Sequence, residues 1–139
     1  MKTFFHLFLK LHIWLYRVSG GKVAGVVSGL PVLLLTSTGA KSGQQRTTPL
    51  GYFAHDGGYI IVASNAGFST HPAWYHNLKA TPKAQVEIGA EKIAVTAEVL
   101  NDADRAQLWP SLLATAPAYK AYEQKTTRQI PLVLLRPTK

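Results

Sequence analysis

Residues 32–49 read V-L-L-L-T-S-T-G-A-K-S-G-Q-Q-R-T-T-P, an apolar and threonine-rich run that meets a glycine-bounded polar turn and then a second extended run at 45–53. That order predicts a β-hairpin, because residues 32–38 and 45–53 suit a pleated, half-buried surface while Gly39 and Gly43 mark where the chain bends. The chemistry concentrates in the turn. Its glycines let backbone N–H groups face outward, Ser42, Thr47 and Thr48 add hydroxyls, and Lys41 and Arg46 add two cations, a set suited to a phosphate or carboxylate. The same residues also suit a plain solvated hairpin tip, since short basic turns are common and few bind phosphate.

Working outward, His55-Asp56-Gly57-Gly58 predicts a turn into a buried strand at 59–63, and Ser64-Asn65-Ala66-Gly67 leaves that strand with small residues. Residues 72–78 read as one or two helical turns with Pro72 at a permitted first-turn position. A second hairpin is expected at 83–88 and 93–100 around Gly89-Ala90-Glu91. Asn101 caps a helix over 102–115, with Asp102 and Asp104 where the helix dipole favours negative charge. A short amphipathic stretch at 118–127 carries Tyr119 and Tyr122, and 131–135 forms a last strand. About six antiparallel strands with short turns and peripheral helices predict an α+β, mainly β fold built on a small barrel.

Upstream, residues 4–16 (F-F-H-L-F-L-K-L-H-I-W-L-Y) predict an amphipathic N-terminal helix within 1–18, with His6, Lys10 and Arg17 on one narrow stripe and a wide greasy circumference. It is too short to span a bilayer, which takes roughly 20 apolar residues, and Lys10 lies in its middle. No secretory cleavage pattern follows it. Packing on the body of the protein is the simpler reading, and lying on a membrane with its cations toward head groups is the other. Ser19-Gly20-Gly21 ends the helix, and Ser28-Gly29-Leu30-Pro31 reads as a second breaker after a short linker.

The 139 residues fit one domain, 1–139, and 47% hydrophobic against 16% charged residues is a globular balance. A net charge of +8 favours acidic partners: a polyanionic cofactor, an anionic membrane or nucleic acid. Absence of cysteine excludes disulfides and thiolate chemistry. The five histidines have neither a carboxylate nor a second histidine at helical zinc spacing, so no metal is expected. No G-x-S-x-G elbow or G-x-G-x-x-G fingerprint occurs, and no nucleic-acid recognition motif supports that partner. What remains is binding chemistry: Lys41 and Arg46, the strand exit at 64–67, and Trp74 with nearby aromatics suit a phosphorylated planar ligand. Trp74 and Tyr75 suit a core equally well.

Three linked motifs carry a more specific resemblance: L-L-L-T-S-T-G-A-K-S-G-Q-Q-R-T-T-P-L at 33–50, I-V-A-S-N-A-G at 61–67, and H-P-A-W-Y-H-N-L at 71–78 followed by T-P-K-A-Q-V. Together they resemble the deazaflavin-dependent nitroreductase family, from I-W-L-Y-R at 13–17 to the final strand. The resemblance implies a split β-barrel related to flavin-binding pyridoxamine-phosphate oxidases, with reduced coenzyme F420 as hydride donor. It implies that Lys41, Ser42, Gln44 and Arg46 cradle the cofactor's phosphate and acidic tail, and that Thr48, Pro49 and Leu50 line its ring pocket. Ala63, Ser64, Asn65, Ala66 and Gly67 would pass close to the ring with their backbone N–H groups, and Trp74, Tyr75 and Asn77 would close the site. Tyr119 and Tyr122, with Tyr52, would shape the acceptor pocket. Tyr119 and Ser64 are the candidate catalytic hydroxyls, against a packing role for the tyrosines of the short helix.

The implied activity is hydride transfer to an electron-poor acceptor such as a quinone, an α,β-unsaturated carbonyl or a nitroaromatic compound. A flavin mononucleotide enzyme of the same barrel, or a carrier that holds F420 without an acceptor site, are the alternatives. Barrels of this type are commonly dimeric, so a homodimer is expected. A cytoplasmic location is expected too, with the N-terminal helix as a peripheral membrane contact suited to a lipophilic quinone. The chain departs from the family pattern at Ala40, where arginine is usual, at Ala66, often a second glycine, and at Gly51 and Ala116, where nitroimidazole-reducing relatives carry tyrosines. The first departure weakens the expectation for a long polyglutamate tail. The last two imply a roomier acceptor pocket.

Overall fold

The apolar run after residue 30 becomes the strand on which the sheet closes. The structure is a computed structural model describing residues 2–21, 26–27 and 29–138. Its strands are β1 (Val26–Val27), β2 (Leu30–Thr38), β3 (Gln45–His55), β4 (Gly58–Val62), β5 (Lys83–Ile88), β6 (Glu91–Val99) and β7 (Leu132–Pro137). Helices are α1 (Lys2–Val18), α2 (Ala73–Ala80), α3 (Asp102–Thr115) and α4 (Ala118–Lys125), and a 3-10 turn spans Asn65–Gly67. All pairings are antiparallel in the order β1-β2-β3-β4-β7-β6-β5. A further antiparallel pairing of β5 with β2, through Leu34↔Glu87, Leu35↔Val86 and Thr36↔Gln85, closes β2 to β7 into a six-stranded barrel. Closure removes the open edges a flat sheet would leave.

Two-residue alternation explains the long apolar runs. Leu33 and Leu35 point into the barrel with Ile61, Ala63, Val133 and Leu135. Ile60, Val62, Leu132 and Leu134 face outward under Trp109, Leu112 and Tyr119 of α3 and α4. Val32 and Leu34, on the outer face of β2, are covered by Tyr16 and Ile13 of α1. A strand buried on both faces needs apolar residues at every position, so the runs read as continuous rather than alternating.

The anchor of α1 is polar. Tyr16 Oη donates to Val32 O at 2.8 Å and accepts from Gly89 N–H at 2.9 Å. Arg17 forks onto Glu87, Nη2 to Oε2 at 2.8 Å and Nε to Oε1 at 3.2 Å, and so pairs a carboxylate whose side chain is only 8% exposed. Arg17 therefore points into the protein and Lys10 toward a cleft, while Leu7, Leu11, Trp14 and Val18 stay exposed. The sequence places Lys10 and Arg17 on one stripe, and the structure gives them different roles, Arg17 pairing with buried Glu87 while exposed Lys10 lines the cleft. Among the described residues no helix is long and apolar enough to cross a membrane.

Leu30 and Pro31, read as a breaker, are strand residues. They pair with Val27 and Val26 across a turn in which Gly29 takes φ +87°, and Leu30 is buried in the outer cluster. The linker at 22–25 and Ser28 lie outside the described residues. Replacing Tyr16 with Phe keeps the ring packing but leaves Val32 O and Gly89 N–H without it. Equilibrium denaturation should show a loss of about 1–2 kcal/mol, and hydrogen exchange should show faster opening of α1.

Candidate cofactor cleft

The turn between β2 and β3 is locked from within. Gly39 N–H donates to Gln44 O at 2.8 Å, Gly43 N–H to Gly39 O at 2.9 Å and Gln44 N–H to Ser42 Oγ at 3.1 Å. From α2, Asn77 Oδ1 accepts Ala40 N–H at 2.9 Å while its Nδ2 donates to Ser37 Oγ at 3.4 Å. A Cβ on Gly39 would lie 2.6 Å from Ser42 Oγ, so the close approach requires glycine there. These bonds correct one expectation: the N–H groups of Gly39, Ala40, Gly43 and Gln44 serve the turn itself rather than an outside anion. Donors to a ligand are then the exposed Lys41 and Arg46 side chains and the Ser42 hydroxyl, whose oxygen already accepts and whose proton points elsewhere.

Beside this turn lies a cleft of about 880 Å³, within the range of small-molecule sites. Its floor is the turn with Arg46, Thr47 and Thr48, one wall is Ala73, Trp74, His76 and Asn77 of α2, and the other is Leu9, Lys10 and Ile13 of α1. Lys10, Lys41 and Arg46 line it, and among the described residues no carboxylate does. Of the expected cofactor residues, Lys41, Ser42, Arg46, Thr48, Trp74 and Asn77 meet here. Asn77 is buried and pins the turn, so its amide positions the cations.

The other expected residues lie elsewhere. Gln44 is exposed at the turn, and Pro49 follows Thr48 on β3 opposite Leu34. Leu50 and Tyr52 pack against the barrel interior; burial, with Tyr16 and Tyr59 nearby, raises the Tyr52 phenol pKa. Tyr75 is a core residue whose ring centroid lies 4.6 Å from that of His71. Ala63 and Ser64 are buried, and they lead into a strained bend in which Asn65, Ala66 and Gly67 take φ of 48°, 53° and 81°. This bend packs on α4: a Cβ on Gly67 would lie 2.9 Å from Tyr122 O. Tyr122 is therefore joined to the 64–67 bend. Tyr119, at 4% exposure, is packed with Trp109 and Leu112, its ring 5.4 Å from that of Tyr122, and burial pushes its phenol pKa to about 12. Among the described residues, the lining of the basic cleft includes none of Ala63 to Gly67, Tyr52, Tyr119 or Tyr122.

Two contributors were missed from sequence. Lys10 is visible as a cation in the middle of an apolar helix, yet only the docking of α1 brings it to the cleft that Lys41 lines. Arg128 gave no local signal. It hydrogen-bonds Ala63 O, Ser64 O, Phe68 O and His71 Nδ1, partners about sixty positions away in the chain.

A closed antiparallel barrel carries a cationic cleft walled by an indole and lined by no carboxylate among the described residues, a lining whose chemistry suits an anionic ligand with a planar part. This class is that of the split-barrel cofactor-binding proteins. Residues 8–137 match the model of the F420H(2)-dependent quinone reductase family, and the chain belongs to it. The F420H(2)-dependent quinone reductase Rv1261c of Mycobacterium tuberculosis is 41% identical over 131 residues, covering 91% of this chain and 88% of that protein. The solved structure of an F420-H2 dependent reductase, FDR-A, superposes with a TM-score of 0.69 at 38% identity, over 76% of this chain and 94% of that one. Another, described as a domain-swapped dimer, gives 0.70 at 35% identity over 91% and 96%.

Ala66 holds a left-handed conformation that costs an L-residue about 1–2 kcal/mol, against about 0.5–1 kcal/mol for the added freedom of glycine. Ala66→Gly is accordingly expected to raise the unfolding free energy by about 0.5–1 kcal/mol in urea titrations.

Proposed function

We propose that this protein is an oxidoreductase that binds reduced coenzyme F420 and passes a hydride to a quinone-type acceptor, with α,β-unsaturated carbonyls and nitroaromatics as further acceptors. The observation that carries the reading is the cleft lined by Lys10, Lys41 and Arg46 and, among the described residues, by no carboxylate. A phosphodiester with a glutamate tail is anionic along its length, and this donor set fits it. When bound, the reduced deazaflavin supplies the hydride; everything else is done by the chain. Lys41, Arg46 and the Ser42 hydroxyl hold the anionic part, Lys10 supplies a third charge from α1, and Thr48 with the Trp74 indole bounds the side toward the ring. The Ser64 hydroxyl, which caps nothing in its own turn, and the backbone N–H groups of the 64–66 bend are donors for negative charge developing on the acceptor. Tyr122, beside that bend, bounds the acceptor. Tyr119 supports it as a neutral hydroxyl, because a phenol with a pKa near 12 keeps its proton at neutral pH.

Support for the expected partners is of two kinds. The exposed apolar face of α1 suits peripheral contact with a cytoplasmic membrane surface that delivers a lipophilic quinone. The relative described as a domain-swapped dimer supports a homodimer.

Removing both turn cations tests the assignment. Lys41→Ala with Arg46→Ala should weaken F420 binding about a hundredfold or more at low ionic strength, each charge-assisted contact being worth about tenfold or more, with a smaller ratio in high salt. Fluorescence titration with F420 and with flavin mononucleotide, followed by F420H2 oxidation with menadione, reads all three. Unchanged affinity in the double variant, or tight binding of flavin mononucleotide with none of F420, would overturn the reading.

A further inference from the structure

The 63–68 segment is held through its carbonyl groups by two cations, Arg128 and Lys125. Arg128 donates from Nη1 to Ala63 O at 3.1 Å, from Nη2 to Ser64 O at 2.8 Å and from Nε to Phe68 O at 3.1 Å. Lys125 Nζ donates to Ala66 O at 3.3 Å. Because each peptide is planar and trans, carbonyls of Ala63 and Ser64 turned toward Arg128 direct the N–H groups of Ser64 and Asn65 the opposite way. Those are the amides assigned above to the cofactor and acceptor. The remaining Nη1 hydrogen goes to His71 Nδ1 at 2.9 Å. A guanidinium cannot accept, so His71 Nδ1 must be the acceptor: the ring is neutral and carries its proton on Nε2. His71 stands two residues before α2, which bears Trp74 and Asn77. One guanidinium thus ties the bend to the helix that walls the cleft.

We propose that Arg128 is the positioning residue that sets the 63–68 bend for the cofactor ring, and that His71 makes this setting depend on its own protonation. This rests on the bend meeting the cofactor as proposed above. A proton on His71 Nδ1 replaces the acceptor with a donor and adds a second positive charge against the guanidinium, so the latch opens in acid. The groups facing the His71 ring are Arg128, Tyr75 with centroids 4.6 Å apart, and His76 at 5.9 Å, with the charge of Lys79 nearby. Burial first, then the charges of Arg128, His76 and Lys79, holds the His71 pKa below the ordinary histidine value. For a base with a depressed folded-state pKa, the neutral latch contributes fully above the unfolded value of about 6.5. Its contribution falls as pH drops below that value, until the folded-state pKa is passed.

The test uses wild-type protein, Arg128→Lys and His71→Asn, the last placing a non-titrating oxygen where Nδ1 sits. Without cofactor, nitrogen NMR of wild type should show the Nε2–H tautomer and a titration midpoint below the ordinary histidine value. Protection factors of the 63–68 amides should fall in acid for wild type, stay level for His71→Asn and be low at all pH for Arg128→Lys. With cofactor, Arg128→Lys should weaken F420 binding about tenfold, and the wild-type to His71→Asn ratio of dissociation constants should rise as pH falls. Three results would each overturn the proposal: the opposite tautomer in wild type, an acid-dependent loss in His71→Asn equal to that of wild type, or undiminished F420 binding by Arg128→Lys. Wild-type protein that shows the latch but binds no F420 would instead overturn the cofactor reading, and with it the role assigned to the bend.

Discussion

Strand β2 is hydrogen-bonded along both edges, to β3 and to β5, and packed on both faces, so Leu33, Leu34 and Leu35 are wholly buried. Three parts of the cleft are fastened to this one strand. The turn bearing Lys41 is its direct continuation, α1 with Lys10 is docked on its outer face through Tyr16, and α2 is tied to Ser37 through Asn77. Placing three cations in one concavity works against their mutual repulsion, and a mobile hairpin would relieve it by splaying. A strand held on four sides cannot move to do so, and the charges stay preorganised for an anion.

The positive excess is sorted by what each cation faces. Arg17 pairs with buried Glu87, and Arg128 is used on backbone carbonyls and His71, so both are committed to groups of the protein itself. Arg136 bridges Asp56 and Glu98 on the surface, where such pairs contribute little. Lys10, Lys41 and Arg46 differ from these in lining a cleft that, among the described residues, holds no carboxylate. Net charge alone permits nucleic acid, membrane or cofactor as partner. Their convergence in a cleft sized for a small molecule narrows that choice.

The barrel was legible because its signals are local. Alternating or doubly buried strands, glycine-marked turns and the Asn101 cap, whose side chain accepts Asp104 N–H at 2.8 Å, are each set by neighbouring residues. The motifs around Lys41 and Trp74 likewise contain Lys41, Ser42, Arg46, Thr48, Trp74 and Asn77, which line the cleft. What the sequence hid was long-range. Nothing near Arg17 announces Glu87, seventy positions on, so the pairing that docks α1 is not legible in its own segment. Nothing near Leu30 and Pro31 shows that a two-residue partner strand precedes them, and a Gly-Leu-Pro string reads as a break unless its pairing is known. The turn amides were assigned to a ligand because glycine signals an unusual backbone without revealing where the freed N–H groups point.

Strain and restraint meet in the 63–68 bend, and their magnitudes decide its conformation. Asn65 and Ala66 are both left-handed without being glycine, a cost of about 1–2 kcal/mol each. Against this stand four hydrogen bonds from charged donors to Ala63, Ser64, Ala66 and Phe68 carbonyls, worth about 1.5–3 kcal/mol apiece where geometry is good. The clamp outweighs the strain, and three of its four bonds come from Arg128 rather than from the exposed Lys125 contact. Replacing Ala66 by glycine would lower the strain and leave the bend less dependent on Arg128. With alanine in place, the guanidinium acts beside the turn's own bonds, Gly67 N–H to Ser64 O at 2.9 Å, Phe68 N–H to Asn65 O at 3.0 Å and Asn65 Nδ2 to Thr70 O at 3.0 Å, and, as proposed, it sets where the opposing N–H groups point.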